Sequence, residues 1–223
     1  MRLTVFNGSP RGRSGNTEIL IEWFMEGVKS VPWNSYTVDH LRAVEKHGEF
    51  ADTFRDAEIV MLAFPLYTDA MPGIVKAFIE KLAPLVGRPQ NPPLLFLVQS
   101  GFPEAHHSRF VERYLEKLAR RLGSRYVGTM VRGGCEGIHV MPPRMTKKVR
   151  TTIAALGERF AKTGDFDPEL LNQFAGTERL TRFGQAVLKL MKIVGLTRFY
   201  WDGQLRKHKA YARRFARPFE GAW

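Results

Sequence analysis

The 223-residue chain holds a single cysteine, Cys135, so no disulfide can close within it. It contains no Cys-x-x-Cys, which removes the usual cysteine ligand sets for zinc and for iron–sulfur clusters. Long apolar runs are missing too, and none approaches the roughly 18 residues of a membrane span. The N-terminus lacks a secretory pattern: Met1-Arg2 leads straight into a short apolar segment and polar residues follow. A soluble, cytoplasmic protein is expected. Neither the Walker loop nor the G-x-G-x-x-G dinucleotide turn occurs, and there is no internal repeat or low-complexity segment. Acidic residues are in deficit, 22 against 34 Lys and Arg, for a net charge of +12. That balance admits nucleic acid, an anionic membrane surface or acidic cofactors as partners. An apolar fraction of 44% argues against disorder, and the length suits one large domain, or one with an appendage.

The chain is organised around Asn7-Gly8-Ser9-Pro10-Arg11-Gly12-Arg13-Ser14-Gly15-Asn16-Thr17, between the apolar run Leu3–Phe6 and the periodic segment from Ile19. Strand, glycine-bearing loop and helix is the order this predicts. Gly8, Gly12 and Gly15 permit tight turning. Ser9, Ser14, Asn16 and Thr17 supply short polar groups, and Arg11 and Arg13 supply positive charge. A helix starting near Asn16 aims unpaired N–H groups and a positive dipole end into the same space. Together these make an anion cradle suited to phosphate. The plainer reading is an ordinary helix start with Ser14 or Asn16 as N-cap.

Beyond the loop, Thr17–Lys29 reads as an amphipathic helix and Ser35–Leu41 as an alternating strand. Ala57–Phe64 and Leu94–Gln99 are nearly continuous apolar runs, the mark of strands covered on both faces of a parallel sheet. Helical spacing recurs from Ile74 to Leu82, Phe110 to Leu122 and Val149 to Phe160, with a further strand at Tyr126–Val131. Such alternation predicts a doubly wound α/β sheet with ligands at the carboxyl ends of its strands. The loops to inspect are therefore Ser9–Thr17, Pro65–Gly73, Ser100–Pro103 and Gly133–Gly137.

From Asp165 the character changes. A short helix is expected at Pro168–Phe174, then an amphipathic one carrying Leu180, Phe183, Val187, Leu190, Met191 and Val194 on one face. Past Gly195, basic residues from Arg198 to Arg217 interleave with aromatics from Phe199 to Trp223, and only Asp202 and Glu220 are acidic. The expected division is 1–164 as the α/β domain and 165–223 as a helical, basic extension.

With the alternation and the first loop in place, the sequence resembles the flavodoxin-like NAD(P)H-dependent FMN reductases. The resemblance rests on Asn7-Gly8-Ser9-Pro10-Arg11 with Gly15-Asn16-Thr17, then Pro65-Leu66-Tyr67, Met71-Pro72-Gly73 and Lys76-Ala77-Phe78, and covers about Met1 to Phe160. It implies a three-layer sandwich around a five-stranded parallel sheet of order 2-1-3-4-5. It also implies non-covalent FMN reduced by NADH or NADPH, with two electrons passed to a quinone, a nitro or azo compound, or another flavin. By the same carry-over Ser9, Arg11, Ser14, Asn16 and Thr17 hold the phosphate. Pro65, Leu66, Tyr67, Ala70 and Met71 lie beside the ring, and Ser100, Gly101 and Phe102 border its other edge. Plain core packing is the alternative for Tyr67 and Met71. Relatives that carry an iron–sulfur cluster have cysteines ahead of the second flavin loop; Arg42–Asp56 has none.

Because the cofactor carries the chemistry, no catalytic side chain and no metal ligand is nominated. His106 and His107 are read as a solvated helix start rather than a nicotinamide contact, and Cys135 as packing rather than a reactive thiol. A flavodoxin-like electron carrier is the first rival; such carriers are usually acidic, unlike this chain. The basic tail suggests a second, binding to nucleic acid or a membrane surface. Its packing across the domain or a partner subunit is favoured over both, with a homodimer or higher homo-oligomer expected, nucleic acid unlikely and peripheral membrane contact left open.

Overall fold

The computed structural model describes residues 1–193, 198–217 and 220. Val194, Gly195, Phe219 and Trp223, named above in the tail, lie outside them, as do the side chains of Met191, Phe199 and Tyr200. Five strands, β1 (Arg2–Asn7), β2 (Ser35–His40), β3 (Ile59–Pro65), β4 (Leu94–Gln99) and β5 (Tyr126–Arg132), form one sheet in the order β2-β1-β3-β4-β5. Every neighbouring pair is parallel. This is the flavodoxin-like arrangement implied by the resemblance.

The helices follow in turn: α1 (Asn16–Lys29), α2 (His47–Arg55), α3 (Gly73–Lys81), α4 (Arg109–Leu122), α5 (Pro143–Thr163) and α6 (Pro168–Ala175). Side chains of a strand alternate between faces, and the continuous apolar runs serve both layers. Leu3, Val5, Met61, Ala63, Leu95 and Leu97 face α1 and α5, where Phe24 and Phe160 are fully buried. Phe6, Val60, Leu62, Phe64, Phe96 and Val98 face the other layer, with Phe54 of α2, Phe78 of α3 and Leu115 of α4.

Two helices depart from the sequence reading. α2 lies within Arg42–Asp56, for which the pattern named no element, and α5 begins six residues ahead of Val149, at Pro143. Proline is tolerated there because a first-turn N–H has no helical partner. α6 starts where the sequence places it: Asp167 caps it, its Oδ1 accepting from the backbone N–H groups of Glu169 (2.9 Å) and Leu170 (3.1 Å).

The chain divides into two compact units, Met1–Arg179 and Leu180–Trp223. In the first, α6 packs on α5 and β5. The second holds α7 (Arg182–Ile193) and α8 (Arg198–Lys207). Among the described residues no helix is long and apolar enough to cross a membrane.

Candidate functional site

β1 and β3 are neighbours whose chains leave the sheet in different directions, β1 toward α1 and β3 toward α3. A doubly wound sheet opens a crevice at that switch point. The loop after β1 is built by its own short side chains. Asn7 is fully buried; its Oδ1 accepts from Ser9 N–H (2.8 Å) and its Nδ2 donates to Glu18 Oε2 (2.6 Å). Ser9 Oγ accepts from Arg11 N–H (3.3 Å), and Gly12 N–H closes the turn on Ser9 O (2.9 Å). Gly8 N–H bonds Ala63 O at 2.7 Å, so the loop leaves the sheet hard against α3. A Cβ on Gly8 would stand 2.2 Å from Val75 Cγ2, and only glycine fits that approach.

The other three exit loops are tied to one another and to α1. Leu66 N–H donates to Gln99 O (2.7 Å), Ser100 N–H to Arg132 O (2.9 Å), Cys135 N–H to Ser100 O (2.8 Å) and Gly134 N–H to Phe102 O (2.6 Å). Asn16 Nδ2 donates to Cys135 O (2.8 Å) and Glu136 O (3.3 Å), while His139 Nδ1 stands 3.1 Å from its Oδ1. Gln99 Nε2 donates to Thr17 Oγ1 (3.3 Å). Tyr67 and Ala70 exchange backbone hydrogen bonds around a tight turn in which Thr68 takes φ +57°. A β-branched residue in the left-handed region is strained, and such strain collects at functional loops.

These loops enclose a cavity of about 140 Å³. Of the residues expected from sequence, Ser9, Arg11, Asn16, Pro65, Leu66, Tyr67, Ser100 and Gly101 line it. Ser14 sits on the exposed outer side of the loop, its hydroxyl donating to Arg11 O (3.0 Å), and Thr17 is fully buried beneath. Ala70 and Met71 line a separate cavity of about 300 Å³ with Phe110, Val111 and Tyr114. Phe102 lies outside both, 45% exposed, its ring centroid 4.5 Å from that of His107. Tyr67 is 47% exposed, so it is not a core residue.

Gln99 and Glu136 also line the first cavity and were not nominated from sequence. The only available signal was position: a polar residue closing an apolar strand, and an acid in a glycine-rich exit loop. The lining thus carries one guanidinium, Arg11, and one carboxylate, Glu136. α1 begins at the cavity with Gly15 as N-cap and no side-chain cap on its backbone N–H groups, which leaves the dipole end open.

His106 and His107 lie half-buried in a one-turn 3-10 segment, Ala105–Ser108, with ring centroids 4.0 Å apart. Ala105 N–H and His106 N–H donate to Thr177 O (2.9 Å) and Glu178 O (3.2 Å), so the chain after α6 braces this corner. Cys135 is 1% exposed, and burial pushes its thiol up to about 12. At pH 8 native protein should therefore alkylate with iodoacetamide about a thousand-fold more slowly than a free cysteine. Mass spectrometry of a timed reaction reads this directly; rapid labelling would mean that the Gly133–Gly137 loop opens.

Residues 1–131 match the family described as NADPH-dependent FMN reductase. An FMN-dependent NADH-azoreductase from Bacillus anthracis, solved with FMN, shares 13% identity at a TM-score of 0.55, covering 72% of this chain and 100% of its own. An NAD(P)H:quinone oxidoreductase from Methanothermobacter marburgensis shares 14% at 0.56, covering 75% and 97%. At such identities the likeness is one of fold. No curated protein matches the chain. The family match spans more than half of the sequence and includes the loops that wall the cavity from β1, β3 and β4, and so the chain belongs to the NADPH-dependent FMN reductase family.

Proposed function

We propose that the cavity at the β1/β3 switch point holds FMN by its phosphate, and that the chain uses it to oxidise NADH or NADPH and reduce a quinone, a nitro or azo compound, or a flavin. The observation that carries this reading is the anion end of the cavity: an open α1 N-terminus beside the Ser9 hydroxyl and Arg11. These donors fit a phosphate, since first-turn N–H groups and a guanidinium both favour a dianion. When bound, FMN would supply the two-electron chemistry, taking hydride from the nicotinamide and giving two electrons to the acceptor.

The protein's part is binding and orientation. Ser9 and Arg11 hold the phosphate, Ser14 fixes the Arg11 carbonyl, and Asn16 and Thr17 brace the loop through Cys135, Glu136 and Gln99. Glu136 faces the same space and turns a dianion toward the Arg11 end. Pro65, Leu66 and Tyr67 flank one side of the ring and Ser100 and Gly101 the other, with Phe102 beyond that cavity and Ala70 and Met71 lining the separate one. No side chain here acts as a nucleophile or general base. Half-exposed Tyr67 and Phe102 leave a face on which a nicotinamide can stack.

Residues 1–164 carry this activity and 165–223 extend it. A homodimer fits the exposed Phe110 and Tyr114 beside the Ala70–Met71 cavity. A cytoplasmic site fits the lone buried thiol and the need for a nicotinamide pool. The electron-carrier alternative fits less well, because a net charge of +12 is opposite to that usual for such carriers.

Purified protein should be yellow, or turn yellow and quench flavin fluorescence on adding FMN. It should then consume NADH or NADPH in the steady state once a quinone or azo dye is present. Colourless protein that binds no FMN would sink the reading, and flavin binding without nicotinamide consumption would leave a carrier.

A further inference from the structure

We propose that Leu180–Trp223 is a membrane-surface module that binds anionic lipid, with one face of α7 seated at the boundary between headgroups and acyl chains. Phe183, Val187 and Leu190 follow at i, i+4 and i+7, which places them on one stripe of the helix. They are 79%, 38% and 60% exposed, and Ile193 at the edge of the stripe is 73% exposed. Arg182, Gln185 and Lys189, also exposed, fall away from the stripe. No acidic residue occurs between Arg179 and Trp201. Across the unit ten Lys and Arg stand against two acids, so these 44 residues carry +8 of the chain's +12.

An exposed apolar stripe flanked by cations and by no acid is the pattern of a helix lying in a lipid interface. α7 has 12 residues, about 18 Å of helix, which is too short for a hydrocarbon core about 30 Å thick. It can lie on a bilayer but not span one. Charge complementarity selects anionic over neutral lipid, at roughly five-fold in affinity per basic residue held at the surface.

Single-stranded nucleic acid, the other polyanion, suits the unit less well. Bases need flat rings to stack on, whereas the α7 stripe is mostly aliphatic. Tyr211 is already stacked between guanidinium groups, Arg206 at 4.5 Å and Arg214 at 4.0 Å from its ring centroid. Residence at a bilayer would bring the chain to acceptors dissolved in lipid, hydrophobic quinones above all. That consequence rests on the reductase reading; the binding itself does not.

The test is co-sedimentation of the full-length protein with vesicles of phosphatidylcholine alone or with about one-third phosphatidylglycerol. Binding is scored on protein rather than flavin, so it can fail separately from the reductase reading. Affinity for the anionic vesicles should exceed that for neutral ones at least about ten-fold, and fall about ten-fold between about 0.1 and 0.5 M salt. The double variant Val187→Ser/Leu190→Ser keeps the charge and the surface position. It should lose at least about ten-fold on anionic vesicles, with unchanged thermal unfolding and unchanged reduction of a water-soluble acceptor. Equal sedimentation with both vesicles, no sedimentation, an unaffected double variant, or displacement from vesicles by a single-stranded oligonucleotide would each overturn the proposal.

Discussion

Gly27→Val should lower stability by about 4 kcal/mol and the melting temperature by about 10 °C, close to loss of the fold at growth temperature. Among the described residues α1 and α5 pack together most extensively of the helix pairs, and they meet through glycine on both sides. A Cβ on Gly27 would lie 1.8 Å from Ala154 O, and one on Gly157 would lie 2.1 Å from Phe24 O. Both obstacles are backbone, so relief requires the helices to part. Parting them uncovers Phe24, Met25, Val28, Ile153, Leu156 and Phe160, all at most 1% exposed. Ordinary overpacking costs about 1–3 kcal/mol when side chains can yield; here none can. Gly48→Ala in α2, where nothing lies within 4 Å of the added carbon, is the control and should be neutral or slightly stabilising. Thermal unfolding followed by circular dichroism measures both. A Gly27→Val melting temperature equal to that of the parent would mean that α1 and α5 do not cross this closely.

Asn16→Ala should weaken FMN binding by about 100-fold, or about 2.7 kcal/mol. The Asn16 side chain is 6% exposed and spans the cavity floor, joining the start of α1 to the loop after β5. Removing it leaves the Cys135 carbonyl with only the Ile138 N–H as donor and takes the Asn16 amide away from the Glu136 carbonyl and the His139 ring. Losing the buried part of this network costs about 1–3 kcal/mol. The loop then relaxes and Glu136 is free to swing toward the phosphate end. The same cost appears in urea unfolding of the apoprotein, so the two readouts should move together. Asn16→Asp should be worse than alanine, because it sets a carboxylate against two carbonyl oxygens. FMN affinity unchanged in Asn16→Ala would remove the residue from the site.

How much of this was legible without coordinates depended on where each residue's partners lie along the chain. β1, β3 and β4 were readable because both their faces are buried, so composition alone marks them. The loop from Asn7 to Thr17 was readable because its hydrogen bonds are local: Asn7 to Ser9, Ser9 to Arg11, Gly12 to Ser9. α2 was not, since only Phe50 and Phe54 anchor it among polar residues. Its third anchor is a buried histidine, His47, whose Nε2 bonds Leu41 O at 2.8 Å. The start of α5 was masked by exposed Arg144, Met145, Lys147 and Lys148. Within the site, Gln99 reaches Thr17 across 82 residues and Asn16 reaches Cys135 across 119. Sequence order offers no sign of such ties: Asn16 lines the cavity as expected of a site residue, and its amide also holds two loops together. Tyr67 resolved the other way: its exposure sets it apart from the core residues around it.

In the proposed function the open end of α1 with Ser9 and Arg11 grips the phosphate of a flavin. Equilibrium titration of the apoprotein with FMN and with riboflavin, which has the same ring and ribityl chain but no phosphate, tests it most directly. Charge-assisted hydrogen bonds contribute about 1.5–3 kcal/mol each, so FMN should bind at least about 100-fold more tightly than riboflavin. Arg11→Ala should narrow that gap by about ten-fold by weakening FMN alone. Equal affinities for the two flavins, or an Arg11→Ala variant that weakens both alike, would contradict it.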